Sequence, residues 1–322
     1  MNILIVNHHV PYIWMLAKTG HNIFVLNPKG RIWDLRMRPI PENVKIIDDA
    51  VGITHFMAAL GSGKIKIDRA IMQDSFVQTE NGVELYDRLV MLPFNCPKLL
   101  LFHNSAFVDF NGAKGDDLNK IRASIRENTK DIRKVFISKF KKDSWEMDGV
   151  IIKPGFDLNE WGGWRGTDTA ALTCLNNANH RDFMNGTKKT KLACIDYKHI
   201  LIGEEGGQGY FPNNFDDYKT ILKNVLCYIA LNNPEFEDGY NLSMLEFMAT
   251  GGPAVTLNHF SSPVKSGVNG FASDDLQEIN KFLHGLTMEE AHNMGRNARK
   301  TVSEEFPMDA FIDGWNDALG MM

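Results

Sequence analysis

Short apolar runs, separated by turns and amphipathic stretches, recur along the whole chain. Asn2–Asn7 is almost entirely apolar, Tyr12–Lys18 follows with helical spacing, and Asn22–Leu26 is again strand-like before Asn27-Pro28. That order predicts a βαβ opening. Val44–Ile47 predicts a further strand and Lys98–His103 a fully apolar one, as expected where helices cover both faces of a parallel sheet. Asp117–Glu127 carries its acids at the start, and Arg133–Ile137 leads through Ser138 into the helical stretch Lys139–Glu146, so both follow the rules for helix beginnings. Val150–Ile152 then stops at Pro154-Gly155.

A second series follows Trp161-Gly-Gly-Trp-Arg-Gly166, which has no periodicity and predicts a linker. Strands are expected at Ala171–Leu175, His199–Ile202, Val225–Leu231 and Pro253–Leu257. Helices are expected at Arg181–Ala193, Phe215–Lys223, Tyr240–Ala249 and Met288–Glu305, with a last amphipathic helix carrying Phe311, Trp315 and Leu319. Strand-helix alternation of this kind predicts doubly wound parallel sheets. Two such sheets are expected to face one crevice at their carboxyl ends. With 322 residues, 43% of them hydrophobic, the chain exceeds what one core normally serves.

Charge divides the chain. Residues 1–155 hold 22 Lys and Arg against 17 Asp and Glu, and the remainder holds 13 against 23. A basic first half admits a polyanionic partner such as nucleic acid, as well as the ordinary reading of a solvated face. Its basic segments Lys29–Arg38 and Lys139–Lys142 lie among Trp33, Phe140 and Trp145, a mixture that suits a nucleic-acid groove or the covered edge of a core. No apolar run approaches the ~20 residues of a membrane helix, and no secretory leader is recognisable, so a cytoplasmic location is expected. The four cysteines are far apart and are expected to be reduced packing residues. No metal-ligand spacing occurs, and neighbouring His8 and His9 would point to opposite faces of a strand. Gly61-Ser-Gly-Lys64 lacks the first Gly and the final Ser or Thr of a phosphate loop and predicts a turn.

The stretch carrying most chemistry is Pro234-Glu-Phe-Glu-Asp-Gly-Tyr-Asn-Leu-Ser-Met-Leu-Glu246, which ends at Gly251-Gly-Pro253. It joins an apolar strand to a helix through an acidic, glycine-containing turn. Backbone N–H groups at such a helix start suit a diphosphate, and Gly239 permits close approach. Asp238 and Glu246 are eight residues apart, about two helical turns, so both carboxylates are candidates to accept hydrogen bonds from sugar hydroxyls. The bland reading is a crossover whose acids cap a helix.

This stretch resembles the acidic signature of retaining glycosyltransferase family 4, an E-x7-E motif with Asp238 in place of the first Glu and Glu246 as the second. Pro234 matches the motif's lead-in proline, and Pro263 with Val268-Asn-Gly-Phe271 is similar to a later family region. Leu201-Ile-Gly203 is similar to the family's strand beside the nucleotide. The resemblance implies an α/β chain of two doubly wound Rossmann-like domains around a central cleft, the GT-B arrangement. It implies an acceptor domain over 1–157 plus a returning helix at 307–322, and a donor domain over 158–306. It implies donor contacts from Glu246, Gly239, Tyr240, Asn241, Leu242 and Gly203, with Asp238 on the transferred sugar. The family's phosphate-neutralising Arg and Lys are displaced here, leaving Arg181 as candidate for the first and Lys188 or Lys189 for the second. His103, at the end of its strand, is a candidate to touch donor sugar or acceptor, with His9 and Ser138 on the same side.

The implied activity is transfer of a sugar, with retention, from a nucleoside diphosphate sugar, most commonly uridine-linked in that family. The nucleotide sugar is a co-substrate, and no other cofactor or metal is expected. One candidate acceptor is a hydroxylated base in phage DNA. Others are a glycan or lipid carrier of envelope synthesis. A non-catalytic nucleotide-sugar binding protein and a sugar-nucleotide epimerase are the competing classes.

Overall fold

The computed structural model describes residues 1–27, 32–48, 50–79, 82–85, 95–109, 115–203 and 210–320. They fall into two units, Met1–Pro154 with Asp309–Met322, and Gly155–Met308.

The first unit is built on β1 (Asn2–Val6), α1 (Val10–Leu16), β2 (Asn22–Leu26), β3 (Val44–Ile47), α2 (Ala50–Gly61) and β4 (Arg69–Gln73). A hairpin of β5 (Phe76–Thr79) and β6 (Gly82–Leu85) follows, then β7 (Lys98–Phe102), α3 (Ala106–Asp109), α4 (Gly115–Asn128), β8 (Arg133–Phe136), α5 (Lys139–Trp145) and β9 (Val150–Ile151). Seven strands form a parallel sheet in the order β3-β2-β1-β4-β7-β8-β9. The interiors of its central strands are apolar because both faces are covered: Leu4, Phe24, Met72, Leu100, Phe102 and Trp145 share one core.

The second unit contains β10 (Asp168–Cys174), α6 (Asp182–Asn185), α7 (Thr187–Ala193), β11 (His199–Ile202), α8 (Phe215–Asn224), β12 (Val225–Ala230) and α9 (Leu242–Thr250). It is completed by β13 (Ala254–Thr256), β14 (Gly270–Ala272), α10 (Leu276–Gly285) and α11 (Met288–Glu305). Its five strands are parallel in the order β11-β10-β12-β13-β14. α12 (Met308–Gly320) leaves this unit and packs on the first. Trp315 donates its indole N–H to the Tyr12 hydroxyl at 3.1 Å, and Arg69 donates to the Leu319 carbonyl at 2.9 Å.

Three expectations need correction. The helix expected over Arg181–Ala193 is two short helices, because Gly186 sits between them at φ +64°. A Cβ there would lie 2.0 Å from the Leu231 carbonyl oxygen, so only glycine fits this crossing. The helix expected from Tyr240 begins two residues later, where the Asn241 side chain accepts from the Met244 N–H at 2.8 Å and caps it. The Trp161–Gly166 stretch, though without regular structure, is pinned: Trp161 and Trp164 are buried, and the Trp164 indole donates to the Val225 carbonyl at 2.9 Å.

Segment 62–65 is a turn, as its broken phosphate-loop pattern predicts. Lys29 to Arg31 of the basic segment lie outside the described residues. No described helix is long and apolar enough to cross a membrane. All four cysteines are free, and burial pushes the Cys194 thiol up to about 12.

Candidate active site

In the second unit the functional candidates gather at the carboxyl edge of the sheet, the side where open parallel sheets bind ligands. β12 runs out at Ala230 into a turn that carries Asp238 and Gly239 and then enters α9. Asp238 is 2% exposed and Glu246 is 2% exposed, so neither acid is a solvated surface group. Only Glu246 is helical, so the two-turn spacing expected of the pair does not apply; the turn itself sets where Asp238 lies. The Tyr218 hydroxyl, on α8 and fully buried, donates to Glu246 Oε2 at 2.6 Å. Tyr218 was not legible in the sequence, since 28 residues separate it from its partner.

Gly239 is explained by packing. A Cβ on it would meet the side chains of Ser262 and His259 at 2.7 and 2.8 Å, so the close approach it permits is to the 259–262 loop. A directed set of hydrogen bonds ties these segments together. Gly239 N–H donates to Ser261 Oγ at 3.1 Å, and the Ser261 hydroxyl and backbone N–H both donate to His259 Nδ1, at 2.8 and 3.0 Å. His259 Nδ1 is therefore unprotonated, and Nε2–H donates to the Pro234 carbonyl at 3.3 Å. Burial lowers the His259 pKa, against smaller opposing effects of Pro234 and Asp238.

The start of α9 is held by a second relay. Cys174 N–H donates to the Tyr228 hydroxyl at 3.0 Å, which lies 2.7 Å from Ser243 Oγ, and Ser243 donates to Asn241 Oδ1 at 3.0 Å. Asn241 thus serves as a cap whose carbonyl oxygen is already engaged. Leu242 opens the helix, and Tyr240 is buried against Phe306 at 5.3 Å, with its hydroxyl pKa raised mainly by burial.

The cationic segment is held at the same edge. Asn233 N–H donates to the Met184 carbonyl at 2.7 Å and its side chain to the Phe183 carbonyl at 2.9 Å, so α6 is tied to the turn that leads to Asp238. Arg181 is exposed at the start of α6, and Lys189 is exposed on α7. Lys188 is exposed and lies 3.4 Å from Asp182, so one carboxylate already attends it. Gly203 ends β11 at φ +129°, where a Cβ would lie 1.7 Å from the Leu175 carbonyl oxygen. Its glycine is required where β11 crosses the end of β10.

The first unit has its own polar carboxyl edge. Gln73 Nε2 donates to the Val6 carbonyl at 2.5 Å, which turns Oε1 toward His103; His103 Nε2–H donates to it at 2.8 Å. In its neutral form His103 therefore carries its proton on Nε2. Burial, then the neighbouring His9, His8 and Lys141, holds its pKa well below the usual histidine value. Asp74 Oδ2 accepts the backbone N–H groups of His103 and Asn104 at 2.9 and 2.6 Å.

His8 and His9 lie past the end of β1, so the alternating-face expectation fails: His9 caps α1 and stacks on His103 at 5.3 Å. Ser138 caps α5, its oxygen accepting from Lys141 N–H at 3.1 Å, and Lys141 itself is 2% exposed. Gln73, Asp74 and Lys141 join the candidates that the sequence had indicated here. Among the described residues no three His, Cys, Asp or Glu side chains converge to hold a metal ion.

No family model matches the chain, and no curated protein matches it. Solved structures do. HepE from Anabaena, in complex with UDP and glucose, superposes with a TM-score of 0.70 at 13% identity, covering 100% of both chains. The fold is that of the GT-B glycosyltransferases. Sucrose-phosphate synthase from Thermosynechococcus elongatus gives a TM-score of 0.68 at 12% identity, over 100% of this chain and 98% of the other. TarM of S. aureus gives 0.58 at 14% identity; the match covers 78% of this chain and 54% of TarM, so the chain spans about half the length of that relative.

Proposed function

We propose that the chain is a glycosyltransferase that moves a sugar, with retention of anomeric configuration, from a uridine diphosphate sugar to a hydroxyl acceptor. The observation that carries this reading is the placement of two buried acids, Asp238 and Glu246, at the carboxyl edge of β12, with α6 tied to the same turn. The fold shared with HepE, which binds UDP and glucose, supports the uridine donor. Fold alone does not assign chemistry, so the reading stands on the site.

In this reading the start of α9 receives the diphosphate, Glu246 accepts from the ribose, and Asp238 accepts from hydroxyls of the transferred sugar. Arg181 and one of Lys188 or Lys189 stabilise the charge that develops as the diphosphate leaves, so the chemistry proceeds on fixed cations without a metal. The motif supplies no obvious nucleophile; the bond from the anomeric carbon to the diphosphate breaks, the departing diphosphate takes the acceptor proton, and the acceptor oxygen bonds the anomeric carbon on the face that the diphosphate leaves, which preserves configuration. In the same reading His103, oriented by Gln73, hydrogen-bonds the sugar or the acceptor. Incubation with a panel of uridine diphosphate sugars tests this: slow release of UDP with the sugar appearing first as the same anomer is expected. Failure to bind any member, or an inverted anomer, refutes it.

A second reading of the acceptor rests on the charge of residues 1–155, with 22 basic against 17 acidic side chains. A hydroxylated base of DNA, extruded for access, would suit that excess. Affinity for duplex DNA that falls steeply with salt is then expected, and salt-insensitive or absent binding directs the reading to a glycan or lipid carrier.

A further inference from the structure

The turn that precedes Asp238 is attached to two pairs of aromatic rings. In the first pair Phe183 of α6, 40% exposed, meets Phe236 edge to face at 5.4 Å. In the second, His259 stacks on Phe260 at 4.5 Å, and Phe260 is 76% exposed. Both pairs are fastened to the same few residues: Asn233 holds the Phe183 carbonyl, and Pro234 accepts from His259. Isolated exposed apolar residues on a surface need no explanation. These rings differ, because three hydrogen bonds immobilise His259 and the turn that both pairs contact carries the acids Glu235, Glu237 and Asp238.

The composition selects a ligand. Fixed ring faces bind planar or C–H-lined apolar surfaces, while carboxylates accept hydrogen bonds from hydroxyls. A polyphosphate strand needs cations at its contacts, and three carboxylates within four residues oppose it. A neutral sugar has both required surfaces, an apolar C–H face and a hydroxyl periphery.

We infer that Phe183, Phe236, His259 and Phe260 form a carbohydrate subsite around Asp238, in which Phe260 stacks against the ring of a neutral pyranose. This rests on the glycosyltransferase reading above for the identity of the neighbouring nucleotide site. The sugar is either that of the donor or that of the acceptor, and the two are separable by experiment. Phe260 is a specificity-determining residue in both cases, and His259 positions it.

The test is calorimetric titration of the full chain and its Phe260→Ala and Phe260→Trp variants with UDP, with UDP-glucose, UDP-galactose and UDP-N-acetylglucosamine, and with methyl glucoside in the presence of UDP. Phe260 is exposed, so its replacement leaves the core intact. For Phe260→Ala we expect roughly tenfold weaker binding of a sugar-bearing ligand with UDP affinity unchanged, and recovery in Phe260→Trp. Loss on the nucleotide sugars assigns the stacked ring to the donor; loss on methyl glucoside alone assigns it to the acceptor. Unchanged affinities throughout overturn the proposal, as does a loss on UDP equal to that on the nucleotide sugars, which would make Phe260 a nucleobase platform. So would a loss of duplex DNA binding in Phe260→Ala without loss of any sugar. A wild-type chain that binds no uridine ligand refutes the glycosyltransferase reading instead, and the methyl glucoside titration then reads the aromatic rim by itself.

Discussion

Replacing Tyr218 by Phe removes a single oxygen from the interior of the second unit and leaves the ring that packs there. The hydroxyl donates to Glu246 Oε2 at 2.6 Å, with the tyrosine fully buried and the glutamate 2% exposed. A hydrogen bond to a charged group contributes about 1.5 to 3 kcal/mol, and its loss in a desolvated site leaves the carboxylate oxygen with one donor fewer. The expected destabilisation is therefore about 2 kcal/mol, read by urea unfolding. The bond is charge-assisted where Glu246 is ionised, and its cost then depends on that charge. In a Glu246→Gln background the same tyrosine replacement should cost only about 1 kcal/mol, the value of a neutral hydrogen bond. The donor site should register the change as well, with weaker UDP binding in Tyr218→Phe as the carboxylate loses its orientation. Equal costs in the two backgrounds, or a cost below about 0.5 kcal/mol, would refute the assignment of a charge-assisted bond.

Three further outcomes are expected. Gly295→Ala should destabilise the second unit by roughly 2 to 3 kcal/mol in urea unfolding, because a Cβ there lies 1.9 Å from the Gly251 carbonyl and forces α11 away from α9. His103 stays neutral in the folded chain while an unfolded histidine protonates near 6.5, so unfolding takes up a proton as pH falls below that value. Stability should then drop toward acid by up to about 1.4 kcal/mol per pH unit from this ring, and the slope should shrink in His103→Gln, measured by unfolding at several pH values. Arg181→Ala should lower the rate of UDP release from a bound donor by roughly tenfold or more while the melting temperature holds, since its side chain is exposed and packs no core.

The strands and the acidic turn were legible because each is a local pattern. An apolar run bounded by turn residues announces β1, β7 and β12, and Asp238-Gly239 ahead of an apolar helix marks the carboxyl end of a strand. α2 was not legible: it has no charged residue, and Phe56 is its single buried side chain, so no polar face alternates with an apolar one. β4, the β5–β6 hairpin and α10 also went unread. Within the site, what escaped was contact between distant positions. Tyr218 to Glu246, Gln73 to His103 and His259 to Pro234 are pairings that only the fold creates. At Gly239 and Gly203, singled out in the sequence as donor contacts, a Cβ would meet other stretches of the chain, which no local pattern announces.

The helix at Met308–Gly320 gives the two units different histories during synthesis. The second unit is one uninterrupted stretch of chain, whereas the first lacks the partner of Tyr12 and the carbonyl acceptors of Arg69 and Arg133 until residues near 319 have been made. The unit whose strands emerge first from the ribosome is thus the one that finishes last, and while Gly155–Met308 are being made its first 154 residues wait without their closing helix.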